Sequence, residues 1–325
     1  MADVVAGIDL GGTTTKVGIV TTDGQIIAKK RIGTDSSMTY EEYFQFLCNL
    51  LDHLSKTVNG EVELRAIGIG APNGNCFTGM IDDASNLSWK GKVPVVKLIE
   101  KNFNLPAFLS NDANSAAIGE MNYGRAKGMK NFAVITMGTG LGCGIVVNGE
   151  LILGHHGHAA EIGHSTVFFD GRLCSCGRKG CLETYVSGPG LIRTVENLIR
   201  ETDTVSRLRS IQLSRSDSHL VSDAAKSGDK LALQAFDYTG KILGMKLSDL
   251  VTYIDPEAII LLGGLAKAGE LILNPAKKYL EMHLLQVYRD KIKLYISGLN
   301  NDEAGILGAA ASAWNGLHKL EEPVK

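Results

Sequence analysis

The sequence predicts an α/β protein made of two similar halves, each built around a β-hairpin with a glycine-rich turn. Three observations predict it. Apolar, strand-like runs alternate with stretches of helical composition. A phrase of strand, glycine turn, strand, hairpin turn and strand occurs twice. No low-complexity linker interrupts the chain, so any division into lobes must come from topology.

The first phrase opens on the apolar run Val4-Val5-Ala6-Gly7-Ile8-Asp9-Leu10. Gly11-Gly12-Thr13-Thr14-Thr15 is the glycine turn, residues 17–20 the second strand, Asp23-Gly24 a hairpin turn, and residues 25–28 the third strand. The second phrase has residues 132–137, the turn Gly138-Thr139-Gly140-Leu141-Gly142, residues 144–147, the hairpin turn Asn148-Gly149, and residues 150–153. Five features in the same order read as an internal duplication. Between the phrases, residues 40–55 read as a helix, 66–70 as a strand, 73–86 as a polar loop, 92–101 as a helix, 107–109 as a strand and 115–123 as a helix. Beyond the second phrase, residues 190–200 read as a helix, and 201–219 as a polar loop or exposed helical excursion. Residues 231–253 read as a long buried helix, and 258–262 as an apolar strand ending in Gly263-Gly264.

A chain of 325 residues, 44% hydrophobic, can bury a sizeable core in one large domain or two medium ones without disulfides. A net charge of −2 offers no basic excess for nucleic acid or an anionic membrane. Met1-Ala2-Asp3 runs into a strand without the basic and apolar regions of a signal peptide, and no apolar run approaches the ~20 residues of a membrane span. The expectation is a cytoplasmic protein.

Glycine turns between strands expose backbone N–H groups that bind phosphate oxygens. Thr13, Thr14 and Thr139 add hydroxyl donors, and Asp9 at a strand end can hold Mg²⁺, through water. Lys16 has two readings, a cation for phosphate charge or a solvated strand residue. Neither turn is a Walker A loop or a dinucleotide fingerprint. Together with Gly263-Gly264 they point to a nucleotide clamped between two lobes.

Asn111-Asp112-Ala113-Asn114 follows a short strand and opens a helix. Asp112 could merely cap that helix. Its other reading is a proton acceptor for a substrate hydroxyl. An alcohol near ~15.7 and a carboxylate near ~3.9 differ by about 16 kcal/mol, so Asp112 can only orient the hydroxyl and take its proton late. A metaphosphate-like transition state would by then have made the oxygen acidic.

Three of the six cysteines crowd into Cys174-Ser175-Cys176-Gly177-Arg178-Lys179-Gly180-Cys181. Three thiolates on a loop bent by two glycines suit three corners of a zinc tetrahedron. A Cys174–Cys176 disulfide would be strained and would leave Cys181 unexplained. Of the upstream histidines His155, His156, His158 and His164, the last leads directly into the loop and is the candidate fourth ligand. Its second nitrogen would remain for a substrate hydroxyl. Glu161 and Glu183 flank the cluster, and carboxylates suit a polyol.

These segments together resemble the ROK family, sugar kinases and related repressors within the actin-like and hexokinase-like ATPases. The matching segments are Asp9-Leu10-Gly11-Gly12-Thr13, Asn86-Leu87-Ser88-Trp89, Asn111-Asp112-Ala113-Asn114 with Glu120 beyond, Gly138-Thr139-Gly140, Glu161-Ile162-Gly163-His164, and the cysteine loop ending in Glu183. The resemblance implies a two-lobed fold that closes on a sugar, with residues 1–112 plus 305–325 as a small lobe and 113–304 as a large lobe carrying the zinc loop. It implies a homodimer and ATP-dependent phosphorylation of a hexose, glucose first, then N-acetylmannosamine or another hexose. Asp112 would be the base. Asn86, Asn111, Glu161, His164 and Glu183 would hold the sugar, and Asp9, Gly11, Gly12, Thr13, Thr14, Lys16, Gly138, Thr139, Gly140, Gly263 and Gly264 would hold Mg-ATP. Family repressors carry an N-terminal DNA-binding segment, whereas this chain reaches its first glycine turn directly after Asp9. A non-catalytic sugar sensor is the other reading. Two positions depart from the family pattern, which commonly has glycine at Asn73 and Ala160. Ala160 matters only if its backbone needs a positive φ.

Overall fold

The computed structural model describes residues 2–35, 37–58, 62–84 and 86–321. In chain order the elements are β1 (Ala2–Leu10), β2 (Thr14–Thr21), β3 (Ile26–Gly33), α1 (Tyr40–Lys56), β4 (Val62–Ala71), β5 (Gly74–Asn75), β6 (Met80–Asp82) and β7 (Lys92–Val93). There follow α2 (Val95–Phe103), β8 (Ala107–Asn111), α3 (Asp112–Tyr123), β9 (Phe132–Met137), β10 (Leu141–Val147) and β11 (Glu150–Leu151). The rest comprises α4 (Gly188–Glu201), α5 (Ser218–Lys226), α6 (Lys230–Ile254), β12 (Ala258–Leu262), α7 (Glu270–His283), β13 (Lys293–Ile296) and α8 (Ala304–Glu321).

The chain forms two compact units. The first runs to Gly128, takes in Leu151–Ala159 and resumes at Gly298; the second holds Met129–Glu150 and Ala160–Ser297. The expected boundary after residue 112 is therefore displaced. It falls at the start of α3, and α3 packs on α8, where a side chain at Gly119 would overlap Gly308 and Asn122 Nδ2 donates to Asn315 Oδ1 at 3.1 Å. Helix α3 thus stays with the first unit, as does the 151–159 segment. Met1 and 322–325, the ends of the expected small lobe, lie outside the described residues.

The duplication is visible in the sheets. The first unit has the order β3-β2-β1-β4-β8 and the second β11-β10-β9-β12-β13. In each, a glycine turn joins an antiparallel pair, β1–β2 or β9–β10, and the first strand of that pair also runs parallel to a later one, β4 or β12. Strands β1, β4 and β8 are buried on both faces, as parallel strands between layers are. In the first unit, α8 lies on the sheet at the close range small residues permit. A side chain at Gly7 would strike the Ile306 carbonyl, and one at Gly68 the Ala309 carbonyl.

Local chemistry explains the ends of the elements. Thr39 and Glu42 form a reciprocal capping box at the start of α1, whose Tyr43, Phe44, Leu47 and Leu51 recur at helical spacing and are buried. The helix expected over 92–101 begins only at Val95, because Pro94 precedes it and Lys92–Val93 pairs as β7. The expected loop at 73–86 contains the short strands β5 and β6; Ser85 within it lies outside the described residues. The polar stretch 201–219 is mostly irregular, with one 3-10 turn at Arg207–Ser210. Helix α6 spans 25 residues with half its side chains buried, as its apolar composition predicted.

Candidate active site

The C-terminal ends of parallel strands are where α/β sheets present ligand-binding groups. In the first unit, register places Asp9 of β1 opposite Gly70 of β4, and Ala71 opposite Asn111 of β8. The strand ends thus carry Asp9, the Gly70–Asn73 turn and Asn111–Asp112 along one edge. Asp9 also faces Lys16 across the β1–β2 pair, with Nζ 3.7 Å from Oδ2. Burial pushes the Asp9 carboxyl above its usual range, and the Lys16 charge pulls against that shift. Its carboxylate lies where a side chain at Gly305, in the first turn of α8, would sit. Lys16 is therefore a counterion of Asp9 rather than a free strand residue.

The turn after β1 closes through Gly11 N to Thr14 O at 3.1 Å. Gly12 lies so close to the Asn86 carbonyl that no side chain fits there. That contact brings the first glycine turn against the Asn86-Leu87-Ser88-Trp89 segment. In that segment Asn86 and Ser88 are exposed while Leu87 and Trp89 are buried. Trp89 donates from Nε1 to Met38 O at 3.0 Å and stacks near Tyr43, so buried anchors present an exposed amide.

At the end of β8, Asn111 caps α3, accepting from Ala113 N at 2.8 Å. The helix cap is therefore Asn111 and not Asp112. Asp112 is the first residue of the helix, exposed, with Oδ1 also 2.8 Å from Ala113 N. A carboxylate there is favoured by the helix dipole. Glu120, named with this segment, is fully buried and accepts from Arg125 N at 2.7 Å, closing the other end of α3. It is a structural residue.

In the second unit, the β9–β10 turn closes through Gly138 N to Gly140 O at 3.0 Å, and Gly188 N at the start of α4 donates to Gly138 O at 2.9 Å. Gly263 has φ +106°, and a side chain there would lie 2.6 Å from Met137 O. Glycine thus lets the turn after β12 lie beside the turn after β9. A side chain at Gly163 would overlap the Leu141 carbonyl, so the turn carrying Glu161 and His164 presses on β10. Glu161 is exposed, and its charge adds to the burial that pushes the Cys143 thiol up.

The ligand atoms of His164, Cys174, Cys176 and Cys181 all lie within 4.8 Å of one another. Cys176 Sγ and Cys181 Sγ are 3.7 Å apart, and His164 Nδ1 is 3.7 Å from Cys174 Sγ. A tetrahedron with Zn–S bonds of ~2.3 Å has sulfur–sulfur edges of ~3.8 Å, so the donor set fits the ion in both chemistry and spacing. Gly177 (φ +85°) and Gly180 (φ +73°) supply the bends, and backbone bonds from Cys174 N to Arg178 O and from Gly177 N to Cys174 O close the loop. All six cysteines are free thiols. Burial, then the Glu183 carboxylate, pushes Cys174 up to about 12. Burial also opposes ionisation of Cys176, yet hydrogen bonds, first from Arg178, hold it at about 6.

Glu183 joins the cluster to the glycine turn. Its Oε1 accepts from Cys174 Sγ at 3.0 Å and Ser175 Oγ at 3.3 Å, while a side chain at Gly140 would lie 2.9 Å from its Oε2. His155, His156 and His158 belong to the other unit and take no part in the cluster. Sequence reasoning missed Arg172, whose guanidinium stacks 4.5 Å above the Tyr185 ring and donates to Thr184, Gly190 and Thr194. An arginine ahead of a cysteine loop carries no pattern that distinguishes it from a surface charge.

The ROK family model matches residues 5–315. The chain belongs to the ROK family. This ROK protein is 37% identical over 315 residues to a glucokinase of Halalkalibacterium halodurans, across 93% of this chain and 92% of the relative. It matches the crystal structure of a ROK family glucokinase from Streptomyces griseus in complex with glucose and AMPPNP, with TM-score 0.82 and 33% identity over 96% of this chain and 100% of that one. A xylose repressor of Caldicellulosiruptor bescii is 28% identical over 312 residues, 94% of this chain and 77% of the repressor. The two-lobed, actin-like ATPase fold expected from the sequence is the fold of these ROK structures.

Both departures from the ROK pattern fall where glycine would be at ease. Asn73 has φ +51°, and asparagine is among the residues that best tolerate that region. Its Nδ2 donates to Asp82 O at 2.9 Å, which fastens the turn to β6. Ala160 has φ +68°, so the condition under which it matters is met.

Proposed function

We propose that this protein transfers the γ-phosphoryl group of ATP to glucose, giving glucose 6-phosphate. The observation that carries the reading is the exposed Asp112 carboxylate on the first turn of α3, beside the capping Asn111, in a chain 37% identical to a glucokinase. The first unit supplies the proton acceptor, the Asn86 and Asn111 amides and the glycine turn with Asp9. The second supplies the turns at Gly138–Gly140 and Gly263–Gly264, together with Glu161, His164 and Glu183 as hydroxyl partners.

Asp112 orients the 6-hydroxyl and accepts its proton after bond cleavage to the leaving phosphate is advanced. The backbone N–H groups of the glycine turns and the threonine hydroxyls receive the phosphate oxygens. Asp9 would hold magnesium, which when bound screens the charge of those oxygens. The cluster would hold a structural zinc through His164 Nδ1, Cys174, Cys176 and Cys181. Its role is to fix the imidazole, whose Nε2 is then the nitrogen turned to the sugar.

We further propose a homodimer that works in the cytoplasm at the entry to glycolysis. Free thiols support a reducing compartment. Exposed Met282, Leu285 and Val287 on one stretch of the second unit support self-association. Among the described residues no helix is long and apolar enough to cross a membrane.

The test is ATP consumption against a panel of hexoses and acetylated hexosamines, for the wild type and Asp112→Ala. Glucose should be turned over fastest, and Asp112→Ala should lose about 10²–10⁴ in rate while still binding glucose. Turnover confined to N-acetylmannosamine would replace the substrate. Sugar binding without any turnover would favour the sugar sensor that the likeness to a xylose repressor suggests. A variant with near-normal rate would remove Asp112 from its role.

A further inference from the structure

We propose that Arg172 is a positioning residue that couples the cysteine–histidine cluster to the second glycine turn, so that metal bound in the cluster strengthens nucleotide binding. The inference rests on the kinase reading and on zinc in the cluster, and it concerns contacts within the second unit.

Arg172 stands at the foot of the cysteine loop. Its carbonyl accepts from Gly180 N at 2.8 Å, one residue before the ligand Cys181, and its own N–H donates to the Tyr185 hydroxyl at 3.0 Å. The side chain then leaves the loop. Nη1 donates to Thr184 O at 2.8 Å and to Gly190 O at 2.9 Å, and Nη2 to Thr194 Oγ1 at 3.0 Å. Gly190 and Thr194 lie in the first two turns of α4, and the first residue of that helix, Gly188, donates to the Gly138 carbonyl in the glycine turn. Three links therefore run from a metal ligand to the phosphate-binding backbone: loop to Arg172, Arg172 to α4, α4 to Gly138.

The chemistry requires arginine. One planar group must reach two carbonyls and a hydroxyl while its face lies on Tyr185, and a lysine ammonium can serve neither the fork nor the stacking in the same way. A second tie from α4 to the loop, Arg193 Nη1 to Leu173 O at 3.2 Å, is exposed and single. Without metal the cluster is held only by the backbone bonds that close the loop and by thiol hydrogen bonds such as Cys174 Sγ to Glu183 Oε1, which are weaker than four metal–ligand bonds. The loop, with Arg172 at its base, is then free to relax, and the N-terminus of α4 relaxes with it. Coupling between sites is reciprocal, so nucleotide should in turn be felt at the metal.

AMPPNP affinity is measured by calorimetry, without sugar, for the zinc-loaded wild type, the chelator-treated wild type, and Arg172→Lys and Arg172→Met in both states. The wild type should lose about tenfold in affinity on zinc removal, within the usual range of allosteric coupling. Both variants should keep their zinc, start near the weakened value, and change by no more than about twofold without it. A second readout uses cobalt in place of zinc. The thiolate–cobalt absorption of the wild type should shift when AMPPNP is added, and that of Arg172→Met should not. This arm decides the matter even where the chelated chain or the variants fail to fold. The proposal is overturned by a wild type whose AMPPNP affinity ignores zinc, by a variant that retains the wild-type response, or by a silent cobalt spectrum in the wild type. A zinc-free chain with full glucose phosphorylation overturns the metal reading together with this one. Normal zinc content and activity without coupling overturn this one alone.

Discussion

Replacing Ala160 with glycine should stabilise this protein although it removes a methyl group. The residue has φ +68°, where an L-residue meets its own carbonyl at a cost of about 1–2 kcal/mol. Glycine removes that strain but returns about 0.4–1 kcal/mol of freedom to the unfolded chain. The lost methyl contact is small, because the residue is only half-buried. The balance is a gain of about 0.8 kcal/mol, which in a unit of this size corresponds to a rise of about 2–3 °C in its unfolding temperature. Differential scanning calorimetry of the wild type and Ala160→Gly reads this directly. Glucose phosphorylation should stay within about twofold of wild type, since the Ile162 N to Ala160 O bond of 2.7 Å involves only backbone. A lower unfolding temperature in Ala160→Gly would refute the reasoning, and would mean that the methyl group supports Glu161 beside it.

Three further outcomes follow from the same geometry. Gly263→Ala places a methyl 2.6 Å from Met137 O at φ +106°, so it should cost about 2–3 kcal/mol in urea unfolding and weaken AMPPNP binding; unchanged stability would refute the close approach of the two turns. Metal analysis should find about one zinc per chain and much less in Cys176→Ser; a metal-free chain with full activity would refute the bracing role. Glu257 accepts from Lys130 N and Asn131 N at 2.8 and 3.0 Å, and these bonds hold its carboxyl below the usual range. A depressed carboxyl stabilises the fold above its unfolded pKa and loses that contribution as pH falls through the folded one. Thermal melts of wild type and Glu257→Gln should therefore differ at pH 6 and converge toward pH 3; a constant gap would refute the assignment.

The sequence disclosed what depends on local pattern. The duplicated hairpins, the buried helix α6 and the cysteine loop each carry their signal within a dozen or so residues, and each stands where expected. The boundary between units was not legible, because α3 belongs with α8, nearly two hundred residues further on, through contacts between small residues that leave no periodic signal. Helix α8 itself, rich in alanine and glycine, has no polar face to mark it as amphipathic. At the candidate site, residue types singled out Asp112 and the His164, Cys174, Cys176 and Cys181 cluster, but that Asn111 rather than Asp112 caps α3 needed the cap geometry. Arg172 was invisible because two of its partners are carbonyl groups, which every sequence possesses, and the others, Thr194 and Tyr185, stand at no spacing that marks them.

The seating of Asp9 against Gly305 bears on how the protein is made. The strand that carries Asp9 leaves the ribosome long before the helix that completes its surroundings. At ~5–20 residues per second, the β1–β4 sheet waits about 12–50 s for α8, with the Gly7 and Gly68 face uncovered. The second unit, apart from the 151–159 excursion, is continuous and can close in that interval. Translation order therefore favours assembly of the second unit before the first. Shortening α8 by its last turns should harm yield through aggregation of nascent chains more than it harms the activity of those that finish folding.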